Sequence, residues 1–340
     1  MHDYSNKKQG ERRMKIQEFR NKMQQCKRED LEKIASELYK MLPKNKKEED
    51  ADTLIEDIIA GKTTAVSAKN QKADVNFDVL KSEINEFLSN VDNNYYFAPN
   101  RIVPKSKRSK WRFEVKKFVK SINQIPVDGE NGIESAQLLR ELYQRLCYGC
   151  GYYIFPSDDP FQSIGIRQPV FYDMLIKRTF ATGFTDENIK NMLMDATCVY
   201  IDRESLYIEM EAIYAKSLLT SDLKYKAQGF IKEYVEQLEA KSGKKNKYAL
   251  EDYQIKSNID EMCQTMLIIS IFLCEPEDGI KYYWTHNQES NKEVTLYRLL
   301  NIIKMYGDDK PWISVYENGL SKKIEPRNAL KEQYQEKKSK

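Results

Sequence analysis

A chain of 340 residues with 41% hydrophobic side chains can bury a substantial core, which excludes wholesale disorder. Charged residues make up 31% and nearly cancel to +3, with only 13 Gly and 10 Pro, so the composition is not that of a turn-rich sheet protein and reads as long helices with solvated outer faces. No stretch approaches the roughly 18–20 apolar residues that cross a bilayer, the N-terminus lacks a signal peptide's apolar run, and six scattered Cys read as reduced thiols; the expectation is a soluble, cytoplasmic protein without membrane contact.

Apolar residues recur at helical spacing almost throughout. Met14, Ile16, Phe19 and Met23 predict a first helix inside a basic segment. Leu31, Ile34, Leu38 and Leu42 make a stripe that begins after Asp30 and stops at Pro43. A further short helix carries Leu54, Ile55, Ile58 and Ile59 and closes at Gly61, whose tolerance of positive φ suits a helix C-terminus. These pieces predict a basic helical hairpin region over 1–61, followed by an apolar-poor linker at 62–73. Val75, Val79, Ile84, Phe87, Leu88 and Val91 form the next stripe. Trp111, Val115, Phe118, Val119 and Ile122 predict a helix over 106–124, and the glycine-containing run at 126–132 is the strongest turn signal in the chain. A helix from 133 to about 150 closes a second unit, 74–150, and the long loop at 151–168 is the best interior boundary or surface feature.

From 166 to 320 helices of similar length follow one another across short turns, the main helical array. Thr185 is placed as an N-cap with Asn188 three residues on, half of a capping box. The apolar run at 266–274 reads as a buried core helix, another helix is predicted over 294–306, and the charged tail at 321–340 is expected to fray. Short turns between similar helices make neighbours antiparallel. The predicted fold is therefore all-α: an irregular array of antiparallel helical hairpins, either a degenerate HEAT/TPR-like solenoid or a multi-helix bundle. The sequence has no fixed-period repeat.

Catalytic motifs are missing from the sequence, which has no GxxxxGK[ST], no GxGxxG and no Ser-centred nucleophile elbow. Cys147 and Cys150 form the only CxxC, with no second CxxC and only His2 and His286 to complete a zinc site. A helix, not a strand, precedes that motif, so packing is its expected role, as for Cys198, Cys263 and Cys274. His286, beside Trp284 and two Tyr, reads as structural. The turn at 126–132 has its glycines at the wrong offset for an EF-hand. Among the acids Asp202, Glu204, Glu209 and Glu211, Glu204 and Glu211 are expected to share one helix face, which is read as solvated ahead of catalytic. No cofactor and no metal is expected.

The remaining signal is electrostatic. Arg101, Lys105, Lys107, Arg108, Lys110, Arg112, Lys116, Lys117 and Lys120 fall in one helix-and-lead segment with a single acid, Glu114, and with Trp111 and Phe113 interleaved. Such a strip can neutralise phosphates, and an aromatic beside it can stack on an unpaired base. Trp111 itself belongs to the core stripe of Val115 and Phe118. A second basic stretch runs from Lys7 and Lys8 through Arg12, Arg13, Lys15, Arg20, Lys22 and Lys27 to Arg28, and acidic stretches at 29–57 and 186–211 balance both. The leading expectation is an α-helical interaction protein, a scaffold or adaptor, whose partner is another protein or a second copy of the chain. The alternative is a nucleic-acid-binding accessory protein that uses 101–120. A His-independent enzyme with a carboxylate-based site is the third.

Overall fold

The computed structural model describes residues 16–42, 55–56, 76–241 and 249–339. His2, the basic stretch before Ile16, the linker at 62–73, the turn at 242–248 and all of the predicted helix at 54–61 except Ile55 and Glu56 lie outside the described residues. Those that are described form sixteen helices and no strand. Helices α1 (Ile16–Gln24) and α2 (Arg28–Met41) come first. They are followed by α3 (Phe77–Asp92), the short α4 (Lys105–Arg108), α5 (Trp111–Ile122), α6 (Gly132–Gly151) and the short α7 (Pro160–Ile164). Then come α8 (Gln168–Ala181), α9 (Asp186–Thr197), α10 (Tyr207–Ser217), α11 (Ser221–Lys241) and α12 (Ala249–Phe272). The last four are α13 (Pro276–His286), α14 (Lys292–Tyr306), α15 (Asp309–Ser321) and α16 (Asn328–Lys338). No helix of the described residues is long and apolar enough to cross a membrane.

Local chemistry sets the helix ends. Asn76, Asp159, Thr185 and Asn291 each accept a hydrogen bond from a first-turn backbone N–H, those of Val79, Gln162, Asn188 and Glu293, at 2.9–3.1 Å. Thr185 is the cap that its position before an acidic first turn predicts. Helix α7 stops at Gly165, whose φ of +64° glycine adopts without a Cβ clash. The single helix expected over 106–124 is two. Arg108 folds back and donates to the carbonyls of Val103 (2.9 Å) and Asn100 (3.3 Å), tying α4 to the preceding loop instead of to α5.

Helix α3 buries Phe77, Leu80, Ile84, Phe87, Leu88 and Val91, a spacing of three and four. Val79, assigned to that stripe from sequence, is 54% exposed, because it sits one position away from Leu80 and about 100° around the helix. On α5 the expected set Trp111, Val115, Phe118, Val119 and Ile122 is buried. The two helices meet in an aromatic knot: Phe87 packs on Tyr96 (5.0 Å between ring centroids) and Phe118 (5.6 Å), and Phe155 stacks on Trp111 at 4.1 Å. The loop at 151–168 therefore does more than cover a surface, since Phe155, Phe161 and Ile164 are all core residues.

Packing then proceeds along the chain. Helix α8 lies against α6 and α10, α12 packs against α9, α10, α11, α13 and α14, α15 packs on α14, and α16 on α15. One contiguous hydrophobic core runs from Phe77 to Leu330. The tail expected to fray is ordered as α16. Its Leu330 and Tyr334, one turn apart, face inward; Leu330 is buried and Tyr334 stacks on Tyr316 at 4.4 Å. Arg327 at its start bridges to Glu293 (2.6 Å) and lies 3.9 Å from the Tyr297 ring centre. Cys274, assigned to the core from sequence, is exposed just beyond the end of α12 at φ +59°.

Candidate functional site

The basic segment owes its exposure to the other face of its own helix. With Trp111, Val115, Phe118, Val119 and Ile122 turned into the core, Arg112, Phe113, Lys116, Lys117 and Lys120 face solvent. Arg101, Lys105, Lys107 and Lys110 are exposed on the lead into that helix. Lys117 pairs with Glu83 at 2.7 Å, and the half-buried Arg108 is committed to the loop carbonyls. The other seven cations have no ion-pair partner among the described residues. Glu114, the one acid of the segment, accepts a hydrogen bond from the Tyr96 hydroxyl at 2.9 Å. Arg112 sits 5.0 Å from the ring centre of the exposed Phe113.

A second set of exposed aromatics lies at 97 and 148–153. Phe97 and Tyr153 stack with centroids 6.0 Å apart, and Tyr148 and Tyr152, one turn apart at the end of α6, stack at 4.6 Å. Tyr200 meets Tyr152 edge-on at 5.5 Å. Its ring lies flat against the bare backbone of Gly151, where an added Cβ would approach to 2.8 Å. A small hollow of about 160 Å³ opens between this end of α6 and Ile201–Arg203.

The acids at 202–211 do not form the solvated face expected of them. Glu204 and Glu211 share no helical face, because α10 begins only at Tyr207. Asp202 is buried and accepts from the backbone N–H groups of Gln168 (3.1 Å), Glu204 (3.0 Å) and Ser205 (2.7 Å). Glu209 accepts from the Leu206 N–H at 2.9 Å and pairs with Arg167 at 3.0 Å. Glu211 is 0% exposed, and neither of its oxygens has a donor among the described residues. It faces the carboxyl of Glu261 from α12, an approach that becomes a hydrogen bond only when one of the two is protonated. Burial first, and then Glu261, push the pKa of Glu211 well above the carboxylate range. Burial lifts Glu261 to about 7 against the pull of Glu211 and Arg298. Two carboxyls facing each other in a dry interior cannot both ionise, so the pair retains a proton.

The signal for this pair was present in the chain but spread across two helices. Glu211 lies one and two turns before the buried Ala215 and Leu218, and Glu261 stands in the same relation to the buried Thr265 and Ile268. Asp195 is buried as deeply, but Arg140 (3.2 Å) and Gln144 (3.0 Å) donate to its carboxylate and the Tyr143 hydroxyl donates to its carbonyl (3.1 Å). Burial is still the largest influence on Asp195 and raises its pKa, with Arg140 opposing.

Cys147 and His286 are held by neighbours in the fold. Burial pushes the Cys147 thiol well up and the Cys150 thiol to about 12, which leaves neither as a nucleophilic thiolate at neutral pH. Gln168 donates to the Cys147 sulfur at 3.2 Å. No group of three or more His, Cys, Asp or Glu among the described residues is arranged to hold a metal ion. His286 is held at 2.9 Å from Glu239 and packs on Tyr282. A groove of about 1090 Å³ lies between α13 and α15, with Pro276, Ile280, Trp284, Tyr306, Pro311 and Val315 in its wall and the Lys322 ammonium 4.1 Å from the Trp284 ring centre. Neither groove nor hollow is lined by Glu211 or Glu261. No family model, no curated protein and no solved structure matches this chain.

Proposed function

We propose that this chain is an α-helical macromolecular interaction protein whose basic face at 101–120 takes up a nucleic acid. The observation that carries this reading is the row of seven exposed cations without an acidic partner among the described residues. Like charges on one face repel one another and burden the compact state. A polyanion relieves that repulsion and releases its own condensed counterions on binding. The competing explanation, that the basic segment meets an acidic face of the same chain, is supported among the described residues at Lys117, which pairs with Glu83. For the fold we keep two finer readings, a degenerate HEAT/TPR-like array of antiparallel hairpins and a multi-helix bundle; the neighbouring pairs α11–α12, α12–α13 and α14–α15 support hairpins, and the contacts of α12 with five other helices favour the bundle. A cytoplasmic setting with reduced thiols goes with the interaction reading.

The test is the salt dependence of binding to a generic single-stranded oligonucleotide. The affinity is expected to fall steeply with salt. Reversing Lys107, Lys110 and Lys116 to Glu is expected to lower it by about tenfold or more and to reduce the log–log slope by about 0.7 for each phosphate that is no longer neutralised. Arg108 is left intact, because it anchors the loop. Unchanged affinity and slope in that variant would remove the proposal.

A second reading, self-association through a protein interface, is favoured by two apolar surfaces in the same chain. Helix α2 buries none of its residues and leaves Leu31, Leu38 and Met41 exposed, while the groove between α13 and α15 offers Pro276, Ile280, Trp284, Pro311 and Val315 among a rim that also carries Glu277, Asp308, Asp309 and Lys281. The occupant on this reading is α2 of a second copy. The third expectation, a carboxylate-based enzyme, draws no support from Glu211 and Glu261, since neither cavity reaches them.

A further inference from the structure

Four exposed aromatics pair off near the end of α6: Phe97 with Tyr153, and Tyr148 with Tyr152, which also meets Tyr200 edge-on. Tyr153 is 66% exposed, and Phe97, Tyr148 and Tyr152 are also exposed, yet they stand as two stacked pairs with interplanar angles of 23° and 19°. An exposed ring gains little from a single neighbour and leaves its outer face to water. These rings are joined to the basic helix through the core. Phe97 follows Tyr96, whose hydroxyl bonds Glu114 of α5, and Tyr153 lies two residues before Phe155, which stacks on Trp111 between Lys110 and Arg112. The Phe97–Tyr153 pair is thus tied through these buried neighbours to the first turn of α5, which carries Lys110 and Arg112, and the Tyr148–Tyr152 pair adjoins it along the chain at Tyr152–Tyr153.

We infer that Phe97–Tyr153 and Tyr148–Tyr152 are a base-stacking platform, which makes the ligand of the basic face a single-stranded nucleic acid. This rests on the reading of 101–120 as a polyanion site and goes beyond it. Cations alone bind duplex and single strand alike, because both present phosphates. An aromatic face exposed at the protein surface can accept only a base whose own face is free, and in a duplex those faces are already stacked. The stacking is indifferent to base identity, since every base has a π-face. The platform therefore selects strandedness and not sequence.

The experiment compares a labelled oligouridylate of about 16 nucleotides with a duplex RNA of the same length, at one salt concentration and across a salt series, by fluorescence anisotropy on the full chain. The variants are Phe97→Ala with Tyr153→Ala, Tyr148→Ala with Tyr152→Ala, and the Lys107, Lys110 and Lys116 reversal as control. All the altered aromatics are exposed, and circular dichroism with an unfolding curve checks that each variant keeps the parent fold. Each aromatic variant is expected to lose about tenfold or more in single-strand affinity, with duplex affinity and the salt slope unchanged. The charge-reversal variant is expected to lose both polymers together. Aromatic variants that bind the single strand as tightly as the parent would overturn the platform and leave the electrostatic site standing. So would an unchanged single-strand affinity combined with a changed molar mass in light scattering, which would mark the rings as a protein interface. Failure of the parent protein to bind either polymer would overturn both readings.

Discussion

Glu211 and Glu261 meet inside the core, and the proton they retain makes the fold sensitive to pH. An unfolded Glu releases its proton near pH 4.5, whereas Glu261 is lifted to about 7 and Glu211 well above its ordinary value. Between those values the folded chain binds more protons than the unfolded one, so stability falls as pH rises. The contribution is fully present below about pH 4.5 and is lost as the pH climbs through 7 and above. Glu211→Gln removes the ionisable group while keeping its shape. The urea midpoint of the parent protein is expected to drop between about pH 5 and pH 8, and that of Glu211→Gln to change less. The variant should keep the higher urea midpoint at the upper pH. Equal slopes in the two proteins would mean that the pair holds no proton. Asp195 shows what Glu211 lacks: an equally buried carboxylate that meets Arg140 and Gln144.

Two glycines inside helices illustrate how an element's neighbours decide the effect of one methyl group. Gly279 in α13 lies against α12, where an added Cβ would come within 2.7 Å of the Ser270 Cβ and 2.9 Å of the Leu267 Cα. The second of these is a backbone atom that no rotamer change can move, so the helices must part. Gly229 in α11 would present its Cβ to open space, with nothing within 4 Å. Gly279→Ala is expected to cost about 1–3 kcal/mol through overpacking. Gly229→Ala is expected to stabilise by about 0.5–1 kcal/mol, because alanine loses less backbone freedom in a helix interior. Chemical unfolding of both variants checks the pair, and changes of the same sign would show that packing on α12 does not govern Gly279. From sequence alone the two positions look alike, each a lone Gly in a helical stretch.

Across the whole molecule the core is continuous from Phe77 to Leu330, while α2 buries nothing and the groove between α13 and α15 stays open. If α2 of a second copy fills that groove, the molar mass in light scattering should rise with concentration, and Leu31→Asp with Leu38→Asp should hold the chain monomeric. A parent chain that is monomeric at every concentration would remove the self-association reading and leave the basic face untouched. The local features were legible in the residues themselves. The stripe at Trp111, Val115, Phe118, Val119 and Ile122 made α5 a helix with one buried face, which put the row of cations on the other, and Thr185 marked a helix start. Spacing carries this information because a helix repeats every few residues, so a face is written in a short window of chain. Which element covers a face is settled by residues far apart. Glu211 is buried because α12 lies over it, Phe97 is stacked because Tyr153 comes beside it, and Tyr334 docks because Tyr316 faces it. Those meetings depend on the packing of whole helices, and only the tertiary structure decided them.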